Sequence, residues 1–425
     1  MSHQVAPDKI AIPFLPRALR PLARTASALF RKSPPPQDPA PLHRRSGRLS
    51  TEKLSNQLSL TVLTGHPDQK ALQPHLQQAV EDWRNHDWRR LGMHLFSFDR
   101  AHKALPSGER IAPALGRALF RHLAGPAACA AMDRGQSLGI SDLPDDLFSP
   151  LLRILPQMQI DPTLHFLAAQ FHLEMGWARH GDDYADYALD ESLNSAEARF
   201  RAAGAILDRI APQAPHSGYF SEIEYRIRAA AGTTEENLTR AAFRWSICDA
   251  GSLVPFATHG LHLLPRWYGG ETSLEDYASA SWMRMSQTLG AAPYAAAYLS
   301  ALENDLEAGL QMDRATFRTG LIDMMQRSDD PDLTCNAILR VLWEASSDDY
   351  IEASRETRAL RELRQHLRAL FCDLTRAALG PVMPDVWGGR WTEAKILHAV
   401  AEAFAREIAA GRHIAIGLEG AQISD

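Results

Sequence analysis

Residues Asp161–Gly181 read DPTLHFLAAQFHLEMGWARHG. The apolar side chains Leu164, Leu167, Ala168, Phe171, Met175 and Ala178 recur at steps of three and four, which places them on one face of a helix. Asp161 and Pro162 suit a helix start. The first is a side-chain acceptor for the free N–H groups of the opening turn; the second is a ring that needs no N–H of its own. Gly181 suits a stop, because glycine takes the left-handed conformation that closes many helices. Comparable patterns cover 70–86, 88–103, 109–123, 144–158, 190–210, 218–231, 234–248, 252–264, 273–289, 293–308, 313–327, 332–346, 350–379 and 391–411. No convincing run alternates polar and apolar residues over strand length. The one weak strand candidate is IAIGL, Ile414–Leu418, between Gly411 and Gly420.

Helices joined by short connections pack on one another, and stacked helical hairpins are the economical way to bury all of these stripes. The expected fold is all-α: a helical-hairpin, tetratricopeptide-like (TPR-like) α-solenoid or right-handed superhelix, with repeats too degenerate to follow a strict period. The helix expected at 350–379 carries Leu360, Leu363, Leu367, Leu370 and Leu374 on a coiled-coil-like stripe. Ser346–Tyr350 would cap its start, and Arg376 near its end suits the helix dipole.

Three regions are expected: a largely disordered extension over 1–65, a helical-repeat domain over 66–345, and a C-terminal helical region over 346–425. Residues 1–53 contain ten Lys and Arg against three acids. Since the whole chain carries −6, this tail is basic and the remainder acidic. The stretch KSPPPQDPAP (Lys32–Pro41) reads as an extended linker. Before it, Leu15, Leu19, Leu22, Ala26 and Leu29 form a stripe with Arg17, Arg20, Arg24 and Arg31 largely off it, interrupted by Pro21. The segment reads as a solvated extension, a membrane-surface or partner-docking helix, or a targeting peptide. No apolar run approaches the roughly 18 residues of a membrane span.

Two segments pair Trp with Gly-Gly between helices: PRWYGG (Pro265–Gly270) and PDVWGG (Pro384–Gly389). In the first, Pro265 stops one helix, Gly269 and Gly270 permit positive φ, and Thr272 with Glu275 forms a capping box for the next. Arg266, Trp267 and Tyr268 exceed what a turn requires. Trp267 would plug an interhelical groove or take a ligand, with Arg266 stacked on it or binding a carboxylate. In the second, Thr392 can cap the following helix.

HLLPRWYGGETSLEDYA (His262–Ala278) and LAAQFHLEMGWARHG (Leu167–Gly181) resemble segments of a tetratricopeptide-like bacterial family of unknown function, DUF4034, whose loop reads P-R-W-G-G-S; here Tyr268 is inserted before the glycines. The resemblance spans about residues 150–300. It implies helical hairpins and no known activity.

Chemistry-bearing motifs are sparse. There is no Walker loop, no dinucleotide-binding glycine pattern, no H-E-x-x-H and no G-x-S-x-G. His259 and His262 share one side of a helix that Asp249 precedes, and His165 and His172 lie near one face of another. Neither pair has the three convergent ligands of a credible metal site. Cys129, Cys248, Cys335 and Cys372 are scattered, which suits core thiols in a reducing cytoplasm. The acidic run around Asp182–Asp190 reads as a solvated loop. With an acidic body, nucleic acid is disfavoured.

The expected function is a non-catalytic scaffold that binds a protein or peptide in a concave groove, preferring a basic or neutral ligand, without cofactor or metal. The candidate binding residues are Arg266, Trp267, Tyr268, His259 and His262. The alternatives are an enzyme built into the helical array and a peripheral adaptor held at an anionic membrane by residues 10–32.

Overall fold

A computed structural model describes residues 51–158, 162–181, 190–214, 216–347, 357–389 and 391–424. The chain is all-α apart from one small sheet. After a short helix α1 (Thr51–Ser55) and a strand β1 (Leu58–Leu60) come α2 (Pro67–Arg84), α3 (Trp88–Arg100) and α4 (Ile111–Asp133). Then follow α5 (Ser149–Ile154), α6 (Pro162–His180), α7 (Asp190–Ile210), α8 (Gly218–Ala231), α9 (Glu235–Cys248) and α10 (Val254–His262). The second half holds α11 (Ser273–Leu289), α12 (Ala292–Leu302), α13 (Arg314–Arg327), α14 (Pro331–Ser346) and α15 (Arg358–Ala378). The chain closes with α16 (Pro384–Trp387), α17 (Glu393–Ala403), α18 (Ala405–Ala409) and strands β2 (His413–Gly417) and β3 (Gly420–Ser424).

Local chemistry sets the helix starts. Asp87, Ser217, Thr234, Asp313, Asp330, Thr357 and Thr392 each accept a backbone N–H from the first turn that follows. The cap of α15 is therefore Thr357, whereas Ser346, expected to open that helix, ends α14. The N-cap expected at Asp161 lies outside the described residues, as do the basic stripe over 10–32 and most of the acidic run.

Most helices pack on the next element and the next but one. Thus α2 meets α3 and α4, α4 meets α6, α6 meets α7 and α8, α10 meets α12, and α12 meets α13 and α14. Stacked hairpins produce this neighbour pattern. Apolar side chains form two clusters that meet at α8, where Phe220 and Ile223 serve one and Tyr225 and Ala229 the other.

Helix α6 departs from its one-faced reading. Phe166, Ala169 and Leu173, off the expected stripe, are as buried as Leu164 and Phe171, because α3, α4, α5, α7 and α8 surround it. Helices α10 and α12 are likewise buried all round. Gly260 explains how α10 and α12 come so close: a Cβ there would stand 2.4 Å from the Ala297 carbonyl oxygen. No helix of the described residues is long and apolar enough to cross a membrane.

Residues 51–65 correct the expected domain limits. Strand β1 pairs in parallel with β2, which pairs antiparallel with β3. The Thr61 N–H donates to the Ile416 carbonyl, the Val382 N–H to that of Thr61, and the Leu63 N–H to that of Val382. Leu58, Ile414 and Ile416 are buried beneath this sheet, and α1 packs on α17. Residues 51–65, expected to belong to a disordered extension, are thus part of the folded chain. The boundary expected at 345 is also crossed: Leu339 and Leu342 of α14 share one core cluster with Leu363 and Leu367 of α15.

Candidate functional site

The sequence marked the first Trp-Gly-Gly elbow and the two histidines before it, and the fold brings most of them together. Trp267 is buried, its ring 5.5 Å from that of His262, and the Tyr268 ring lies 6.2 Å from His262 on another side. The Tyr268 hydroxyl donates to the Ala229 carbonyl at 2.5 Å, locking the elbow to α8. Burial pushes that hydroxyl up to about 12. Arg266 covers the cluster from the surface. Its guanidinium stacks 5.8 Å over the Trp267 ring and donates to the Asn304 carbonyl at 3.1 Å. Three of the five candidates therefore hold the elbow in place.

The turn chemistry differs from expectation in two respects. Gly269 is not among the positive-φ glycines; a Cβ there would fall 1.8 Å from the Leu263 carbonyl oxygen, so close approach is what demands glycine. Nor is there a capping box. The Thr272 hydroxyl donates to Asp276, Ser273 Oγ accepts from the Gly270 N–H, and Glu275 accepts from Tyr294, Tyr298 and Ser279. Two buried tyrosine hydroxyls outcompete a local cap for that carboxylate.

His259 and His262 are fully buried, and the Tyr225 hydroxyl bridges them. It lies 2.9 Å from Nδ1 of His259 and 2.7 Å from Nδ1 of His262. Nε2 of His259 is 2.9 Å from Thr239 Oγ1. Both rings are held neutral. Burial, reinforced by each ring's cationic or imidazole neighbour, lowers His259 well below the ordinary histidine range and His262 to about 3. One hydroxyl cannot donate to two acceptors, so with both rings neutral one Nδ1 carries its proton and the other accepts. The edge of the Tyr277 ring meets His259 at 4.5 Å, and Trp245 packs on Tyr225 at 5.5 Å. Asp249, the carboxylate nearest in sequence, pairs with Arg110 instead. Among the described residues, no group of three His, Cys, Asp or Glu side chains is placed to hold a metal ion.

This buried chain reaches the surface at Thr239. Thr239 and Phe243 line a shallow, open cleft of about 630 Å³ where α9 meets α11, with Glu235, Glu236 and Arg240 of α9 and Arg284 of α11 completing it. Arg284 stacks 4.2 Å over the Phe243 ring, whose other neighbour is Tyr277, at 5.2 Å. Glu236 and Arg240 form an exposed ion pair one turn apart. A smaller cleft of about 250 Å³ lies on the sheet, between residues of β1 and the β2–β3 hairpin.

Sequence reasoning missed Thr239, Phe243 and Arg284. The four-residue steps Glu235–Thr239–Phe243 and Glu236–Arg240 mark a shared helix face, but nothing in them says that α11 runs alongside. Tyr225, which joins the two histidines, lies 34 and 37 residues from them, too far for any local signal.

The second elbow is structural in a similar way. Trp387 is buried and donates from Nε1 to Asn336 Oδ1 at 2.9 Å, while Trp391 donates to Glu344 at 2.6 Å. His172 is also buried, edge-on to Phe148 at 4.9 Å, and burial with the Arg199 charge lowers it to about 4. No family model matches the chain, and neither does any curated protein or solved structure compared with it.

Proposed function

We propose that the protein is a non-catalytic scaffold of TPR-like hairpins that binds a segment of another protein in the cleft between α9 and α11. The cleft carries this reading. It offers the half-buried Phe243 ring with the Arg284 guanidinium stacked on it, Arg240 beside them, and the acids Glu235 and Glu236 at the start of α9. An apolar side chain on the partner would pack against Phe243, and a basic residue next to it would meet the two glutamates. The buried Tyr225–His259–His262 network keeps the cleft wall rigid, which lowers the ordering cost of binding. The four cysteines are free thiols, which suits a cytoplasmic setting.

The enzyme reading draws on one observation, the Thr239 hydroxyl against His259 in the cleft wall. A ring whose proton affinity is so far reduced is a poor general base at neutral pH, which favours the scaffold. A photo-crosslinking residue in place of Arg240, in the protein expressed in its own cells, tests the proposal. Discrete protein adducts that disappear when Phe243→Ala is added support it. Adducts unchanged by Phe243→Ala, or none at all, reject it.

A further inference from the structure

The solvent face of α3 carries a mixed basic and apolar stripe. Arg89, Met93, Phe96 and Arg100 are spaced four, three and four apart, so they line one side of the helix. All four are exposed, Met93 at 54% and Phe96 at 51%. The opposite face is ordinary core: Trp88, Leu91, Leu95 and Phe98 are buried against α2, α4 and α6. The exposed apolar pair is therefore surplus to folding.

Its electrostatic setting is basic. From Arg84 to Lys103 the chain has five cations and two acids, on a body that is otherwise acidic. Asp87 is occupied as the helix cap, and Asp99 accepts from Ser217 Oγ and the Tyr219 N–H of α8. On the neighbouring helix, the buried Asp82 is engaged by Arg90 and His94. Among the described residues Arg84, Arg89 and Arg100 have no ion-pair or hydrogen-bond partner, although most arginines of this chain do.

We infer that α3 is a membrane-surface anchor. It would lie flat on an anionic lipid leaflet, with Met93 and Phe96 inserted among the acyl chains and Arg89 and Arg100 at the phosphates. A lipid surface is the occupant this chemistry favours: unpaired arginines flank two exposed, protruding apolar side chains, and a bilayer offers phosphates and acyl chains side by side. The inference is independent of the scaffold reading, since α3 contributes nothing to the α9–α11 cleft.

The full chain is sedimented with vesicles of mixed phosphatidylglycerol and phosphatidylcholine, and with phosphatidylcholine vesicles alone. Partitioning onto the anionic vesicles is expected, with a gain of about fivefold for each arginine at the surface. Arg89→Glu with Arg100→Glu should lower it by more than about 25-fold on the same basis. Met93→Ser with Phe96→Ser should lower it by about tenfold. Both pairs are solvent-facing, so thermal melting should be unchanged. Phe96→Trp gives a second readout: new emission that is quenched by lipids brominated on their acyl chains. Three results would overturn the inference: no anionic-vesicle binding, binding that both double variants leave intact (which would place it in residues 1–53), or single-stranded RNA capturing the protein through Phe96 while vesicles do not.

Discussion

Replacing His262 with asparagine should change how the protein's stability depends on pH. In the fold His262 is buried and stays neutral down to about pH 3, whereas an exposed histidine takes its proton near pH 6.5. As pH falls through that window the unfolded chain binds a proton that the folded chain refuses, so unfolding becomes more favourable. The stability tied to this group is complete above about pH 6.5 and declines at about 1.4 kcal/mol per pH unit below it. Between about pH 6.5 and 4.5 the loss comes to roughly 2–3 kcal/mol, a sizeable part of the 5–15 kcal/mol that holds a typical domain together. Asn places an amide near the position of the ring Nδ1, so it can still meet the Tyr225 hydroxyl, and it does not titrate. His262→Asn should therefore cost about 1–3 kcal/mol at neutral pH through lost packing and weakened bonding. The variant and the parent should then converge as the medium is acidified. Urea titrations followed by circular dichroism across this range measure both slopes, and contributions from His172 and other unchanged groups cancel in the difference. Parallel slopes would refute the reasoning, because they would mean that His262 is protonated in the fold or reached by water.

Gly260→Ala should lower stability by about 1–3 kcal/mol or more, since its Cβ would collide with the backbone of Ala297; an unchanged melting temperature would mean that α10 and α12 are not in such close contact. Trp387→Phe removes the Nε1 donor from Asn336 and should cost about 1–2 kcal/mol, read from the denaturation midpoint. Removing the chain up to residue 65 strips β1 from β2, so amide exchange at Ile414 and Ile416 should accelerate while that of α12 stays slow; exchange at these isoleucines unaffected by the truncation would contradict the strand pairing.

Helix positions were legible because their signal is local. Leu360, Leu363, Leu367, Leu370 and Leu374 all face the core, as their spacing implied. What escaped the sequence depends on distant partners. Leu58–Leu60 becomes a strand only because Ile414–Ile416, over 350 residues away, offers an edge. IAIGL, the one weak strand candidate in the sequence, does form most of β2, with Ile414 and Ile416 facing inward. Glu275 sits at a capping-box position yet serves Tyr294 and Tyr298, because burying two hydroxyls unpaired would cost more than leaving one helix end to water. Of the marked residues, Trp267, His259 and His262 converge in the interior, with Tyr268 half-buried beside them; the composition of a loop does not say which of its side chains turn inward.

The most direct measurement compares Trp267→Ala with Arg284→Glu, scoring melting temperature and crosslinking through position 240 in the same preparations. Trp267→Ala should lower the melting temperature substantially and leave the crosslink yield per folded molecule unchanged, whereas Arg284→Glu should abolish the adducts and leave melting unchanged. If Trp267→Ala instead removed the adducts without affecting melting, the elbow rather than the α9–α11 cleft would be the binding surface.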